Sequence, residues 1–187
     1  RGSQAANTLN ANKNVTVTLA ADNLSYLTDK GATSYMVKVN LDWYENNTYW
    51  QRGYLSENFE NGIELGYKKT KDGQKAYGFR SKLISVAIGK NESAAVGKKS
   101  IETDFEEAGK CPNLQKALDV MKSNSESGAI QIGTIRVYGT GGTKGANWEA
   151  FSRAFYNPSE NDMLPMENVW DVNKRHTVCG FFFPQIW

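Results

Sequence analysis

Two thiols, one imidazole, a glycine-rich loop and carboxylates set among aromatic residues are the groups in this chain that could do chemistry. His176 stands three residues before Cys179 in Lys174-Arg175-His176-Thr177-Val178-Cys179. A thiolate–imidazole pair needs the two side chains to meet, and residues three apart on a strand face opposite ways. The spacing therefore disfavours that nucleophile. Cys111 and Cys179 are read as a disulfide pair or as two inert buried thiols. One histidine and two cysteines exclude a multi-histidine or multi-cysteine metal centre built by this chain alone. No serine sits in a Gly-x-Ser-x-Gly elbow.

Paired carboxylates are the remaining catalytic route, because glycoside hydrolysis needs only two of them. Glu45, Glu57, Glu60 and Glu64 are the densest acidic group and flank aromatic residues, but acids in turns are ordinarily just solvated. Glu160, Asp162 and Glu167 are a loose oxygen-ligand set without EF-hand spacing. A P-loop requires Gly, four residues, then Gly-Lys-Ser/Thr. Gly97-Lys98 has Glu92 in place of the first glycine and Lys99 after it, and in GTGGTKG (139–145) the lysine is followed by Gly145. Both fail, and the loop reads as mobile surface. No cofactor is expected.

The aromatic residues are the stronger pointer. The chain has 8 Phe, 9 Tyr and 5 Trp, and they cluster. Tyr44, Tyr49, Trp50 and Tyr54 fall on one expected hairpin, and Trp148, Tyr156 and Trp170 form a second group near the glycine loop. Exposed Trp and Tyr give flat apolar platforms with polar edges, suited to the faces of sugar rings.

The elements that would position these groups are read mostly as strands. Val15, Val17 and Leu19 alternate with Thr16 and Thr18, and Val37, Val39, Leu41 and Trp43 alternate with Lys38, Asn40 and Asp42, the period of a half-buried strand. Asp72-Gly73 signals a hairpin joining 63–69 to 75–82. Ile84–Ile88, Ile130–Val137, Val169–Val172 and 177–183 read as further strands, the last of them central. Trp148–Tyr156 fits either a strand or a helical turn. Thr103-Asp-Phe-Glu106 fits a capping box that opens a short helical turn. Leu114, Ala117, Leu118 and Met121 recur at helical spacing behind Pro112, which predicts one helix over about 112–123. Strands clustered as hairpins predict an all-β, mostly antiparallel chain, a two-sheet β-sandwich of jelly-roll type. Residues 1–13 read as a flexible arm and 14–187 as the sandwich domain.

Length and charge bound the function. The chain of 187 residues is short for two domains and long enough for a core of its own. A net charge of +2 without a basic block argues against a nucleic-acid binder. No apolar run approaches the roughly 18 residues of a membrane helix. The first residues, Arg-Gly-Ser, suggest a processed terminus, and four Asn-x-Ser/Thr sites at Asn14, Asn23, Asn46 and Asn91 fit a secretory route. The expectation is a secreted, non-enzymatic module that binds carbohydrate or a cell surface through exposed aromatic residues. The alternatives are a self-associating coat, fimbrial or crystalline subunit, using the N-terminal arm and edge strands, and a membrane-lytic β protein.

Overall fold

The computed structural model describes residues 2–29, 32–47, 54–58, 62–68, 76–89, 91–140 and 145–182. In chain order, α1 (Gly2–Ala11) leads to β1 (Thr16–Ala21), a single turn α2 (Ser25–Thr28) and α3 (Thr33–Asn47). Then come β2 (Tyr54–Asn58), β3 (Gly62–Leu65), β4 (Tyr67–Lys68), β5 (Ala76–Tyr77), β6 (Lys82–Ala87) and β7 (Glu102–Glu106). A 3-10 turn at Ala108–Lys110 enters α4 (Leu114–Asn124), followed by β8 (Glu126–Ser127), β9 (Ile130–Gln131) and β10 (Thr134–Val137). The described chain ends with α5 (Ala146–Tyr156), β11 (Met166–Glu167) and β12 (Val178–Cys179).

Six strands form one sheet in the order β10-β7-β1-β6-β3-β2. β10, β7, β1 and β6 run parallel, and β3 with β2 adds an antiparallel hairpin at one side. Parallel neighbours cannot be joined by tight turns; each connection must cross a face of the sheet, usually as a helix. That requirement explains α3 and α4, and it overturns the expected all-β jelly-roll sandwich. The protein is a mixed α/β fold.

The clearest correction is at residues 35–43. Their alternation fits a strand, yet Val37, Leu41 and Tyr44 also recur at i, i+4 and i+7, and the chain folds as α3. Val37 and Leu41 are buried, whereas Val39 is 43% and Trp43 is 58% exposed, a helical and not an alternating pattern. The hairpin expected to hold Tyr44 therefore does not exist. Residues 103–106 also invert: the capping-box reading gives way to β7, all five of whose residues are buried. Residues 148–156 form the helix α5. Val172–Lys174 is a 3-10 turn, and residues 178–179 pair only with β11, outside the main sheet. Residues 2–11, within the segment read as an arm, are helical, with Ala5, Ala6 and Leu9 buried.

Two apolar layers lie on opposite faces of the sheet. On one, Val17, Leu19 and Ala21 of β1 meet Leu83, Ile63 and Leu65, covered by Leu9 of α1 and Val37 and Leu41 of α3. On the other, Ala20 and Phe105 meet Leu114, Ala117, Leu118 and Met121 of α4, with Phe151 of α5 alongside. Burying each of these larger side chains contributes roughly 1.5–3 kcal/mol.

Candidate functional site

Strand β1 is followed by α3, which packs on the first face, and its neighbour β7 is followed by α4, which packs on the second. Where the chains leaving two adjacent parallel strands diverge to opposite faces, the carboxyl ends of those strands are left uncovered between them. This switch point lies between Ala21-Asp22 and Glu106-Glu107.

Tight backbone approaches build that edge. The Gly89 amide donates to the Asp22 carbonyl at 3.0 Å, and a Cβ at Gly89 would stand 2.5 Å from the same oxygen. A Cβ at Gly109 would stand 2.7 Å from the Thr140 carbonyl oxygen. Only glycine fits at either position. The Ala108 amide donates to the Tyr138 carbonyl at 2.9 Å, which ties the turn after β7 to the exit of β10.

Glu102, Asp104 and Glu106 alternate along β7 on the same face as Val17, Leu19 and Ala21, and all three are buried. The Thr8 hydroxyl of α1 donates to Glu102 at 2.5 Å, and the Thr33 hydroxyl at the start of α3 donates to Glu106 at 2.8 Å. Arg136 of β10 places Nη1 at 2.9 Å from Glu102 Oε1 and 3.2 Å from Asp104 Oδ1. Asp104 is fully buried, and its Oδ2 has no hydrogen-bond partner among the described residues. Burial, followed by the neighbouring Glu102 charge, pushes the Asp104 carboxyl up to about 6 against the pull of Arg136. Burial alone would lower the Arg136 guanidinium, but Glu102 and Asp104 more than reverse this and hold it above its ordinary value.

Past the strand end, Glu107 takes the left-handed conformation (φ 53°, ψ 39°), which turns the chain sharply off β7. Lys110 closes that turn. Its ammonium is 3.2 Å from Glu107 Oε2 and 4.6 Å from the ring centroid of Tyr26 in α2. Its affinity for the proton is raised, first by the hydrogen bond to Glu107. Asn147 of α5 donates to the Lys110 carbonyl at 3.1 Å.

The residues singled out from sequence fall elsewhere. Tyr44 is half-buried on α3, and its hydroxyl donates to Asn7 of α1 at 2.5 Å, so it joins two helices. Tyr49 and Trp50 lie outside the described residues, as does the side chain of Tyr54, whose backbone pairs with Leu65. Trp148 is half-buried in the first turn of α5. Tyr156 and Trp170 do share a region: the Tyr156 hydroxyl is 3.5 Å from Asp171 Oδ2, next in sequence to Trp170. Burial, then Asp171, raises the Tyr156 phenol. The Trp170 ring meets Phe182 edge-on at 5.8 Å.

Cys111 and Cys179 are both buried thiols with no disulfide between them, which overturns the bonded alternative. Cys111 packs beneath α4, while Cys179 sits in the small β11–β12 hairpin beside α5, so different elements hold them. Burial pushes the Cys179 thiol up, away from reactivity. His176 is exposed and pairs with Glu167 at 3.3 Å. Asp162 pairs with Lys122, and Glu160 with Arg153 at 3.2 Å, so the loose acidic set is dispersed among cations. Among the described residues no group of three or more His, Cys, Asp or Glu is arranged to hold a metal ion.

Sequence reasoning missed β7. Its signal was present, since Glu-Thr-Asp-Phe-Glu alternates with period two. The pattern is inverted, however, with carboxylates where a buried strand face is expected to be apolar. No family model and no curated protein matches the chain.

Proposed function

We propose that this domain binds a small polar ligand at the carboxyl edge of its parallel sheet, between β1 and β7, with Glu106 and Glu107 as the carboxylates that meet it. The observation carrying this reading is the pairing of the switch point with two adjacent acids. Glu106 is buried and fixed by Thr33, and Glu107 is partly exposed on the strained turn. A carboxylate held this way accepts from a hydroxyl or amine of the ligand, or meets a cation the ligand carries. The test is a thermal-shift panel of metabolites, each with and without Mg²⁺, followed by calorimetry on any hit. Glu106→Gln is expected to weaken that hit roughly ten- to hundredfold, the value of one charged hydrogen bond. A hit whose affinity is the same in Glu106→Gln and Glu107→Gln would place the ligand elsewhere.

A second reading, carbohydrate or cell-surface recognition by a secreted module, is supported by the aromatic surface near the end of the described chain. There Trp170 and Phe182 pack edge-on with exposed faces, beside Phe181. A glycan array run with Trp170→Ala as control tests it: saturable binding lost in the variant supports the reading, and a blank array removes it. Among the described residues no helix is long and apolar enough to cross a membrane.

A further inference from the structure

We propose that Lys110 is a latch over the β1–β7 switch point: its ammonium ties Glu107 to the ring of Tyr26, and an anionic group on the ligand opens it by taking that ammonium and releasing the Glu107 carboxylate. The inference rests on the carboxyl-edge reading and adds the charge of the ligand and the residue that senses it.

The contact spans the site. Tyr26 belongs to α2, the turn that leaves β1, and Lys110 closes the turn that leaves β7. Its two halves are weak in the same way. The Lys110 and Glu107 side chains are 46% and 28% exposed, and Tyr26 is also partly exposed, so water nearly matches both interactions. An incoming anion that hydrogen-bonds the ammonium therefore replaces them at little cost.

The backbone beneath is held firmly. The Lys110 carbonyl accepts from Asn147, the Lys110 amide donates to the Glu107 carbonyl at 2.9 Å, and the next residue, Cys111, is buried in the α4 layer. Opening is thus a swing of one flexible side chain about a fixed anchor. The released Glu107 carboxylate is then free to meet the ligand at the end of β7.

The test uses the full chain with its lysines converted to ¹³C-dimethyl-lysine, which keeps their charge. Inorganic phosphate is titrated in one arm and acetate in another. The Lys110 signal, identified by its absence in Lys110→Arg, is expected to carry a ring-current shift that disappears in Tyr26→Leu and on saturation with the anion. A response to phosphate alone assigns the phosphoryl form, and a response to both anions assigns a general anion site. Lys110→Ala is expected to weaken anion binding roughly tenfold. A Lys110 signal with no Tyr26-dependent shift, or one unmoved at saturating phosphate and acetate, overturns the latch. Glu106→Gln separates this from the broader reading. If it leaves ligand affinity intact while the Lys110 signal still moves, the Glu106 site fails and the latch stands. If it weakens binding while the Lys110 signal stays fixed, the site stands and the latch fails.

Discussion

Replacing Asp104 by asparagine isolates one unfavourably buried charge. Three buried carboxylates lie along β7, Arg136 reaches Glu102 and Asp104, and Asp104 Oδ2 has no hydrogen-bond partner among the described residues. Its carboxyl titrates near 6 in the folded protein against an ordinary value of 3.8. Because the folded state holds the proton more tightly, folding is favoured where that proton is bound. Asp104 imposes no penalty below the unfolded value. The penalty grows as pH rises from 3.8 to about 6, and it is constant above. At about 1.4 kcal/mol per pH unit, that interval is worth about 3 kcal/mol. The substituted amide cannot ionise and retains an acceptor for Arg136. Urea unfolding followed by tryptophan fluorescence, repeated from about pH 4 to 8, measures the difference. Between about pH 4 and 7 the wild-type chain is expected to lose about 3 kcal/mol that Asp104→Asn keeps, while the other titrating groups cancel in the comparison. A variant destabilised by the same amount at every pH would refute the reasoning. It would mean that Asp104 is an ordinary ionised partner of Arg136.

Other outcomes follow from the same geometry. Phe105→Ala removes the largest fully buried side chain among the described residues, within the α4 layer, and should cost about 3–5 kcal/mol in the same urea assay. Gly109→Ala drives a Cβ to 2.7 Å from the Thr140 carbonyl oxygen, with a loss of about 1–3 kcal/mol expected and the change in amide spectra confined to the turn after β7 and the exit of β10. Thiol titration of the native protein should find Cys111 and Cys179 slow to react, with two equivalents appearing on unfolding and the same unfolding midpoint with or without reductant. A midpoint that falls with reductant would indicate a disulfide. Thr33→Val should weaken the hold of α3 on Glu106 and cost about 1–2 kcal/mol, read by unfolding and by faster amide exchange at the start of α3.

Local patterns were legible in the sequence wherever a single element decided them. The alternation at 15–19 marks β1 and the spacing Leu114-Ala117-Leu118-Met121 marks α4; Asp72-Gly73 itself lies outside the described residues, but Tyr67–Lys68 and Ala76–Tyr77 on either side of it pair as β4 and β5. In each case one period fits and the flanking residues agree. At 35–43 two periods fit at once. Val37 and Leu41 satisfy both a strand and a helix, and nothing within the segment decides between them. The choice follows from the parallel pairing of β1 with β6, because the connection between parallel neighbours must cross a face of the sheet, and there it takes the form of a helix. The aromatic and β-branched content that suggested a sandwich serves equally well in a half-buried parallel sheet and its covering helices.

By itself, then, the sequence determined a chain able to build a core, the period of its unambiguous segments, and the absence of a P-loop or a dense metal-ligand motif. Strand order and direction belong to the tertiary structure alone, because pairing β1 with β6 and β7 joins residues about 65 and 85 positions apart whose association no local period encodes. The same holds for the site. Glu107, Lys110 and Tyr26 meet only because the fold sets the turns leaving β1 and β7 side by side, a contact across about 80 positions that no local period encodes. Asp104 becomes a weaker acid because the fold removes it from water and sets it beside Glu102.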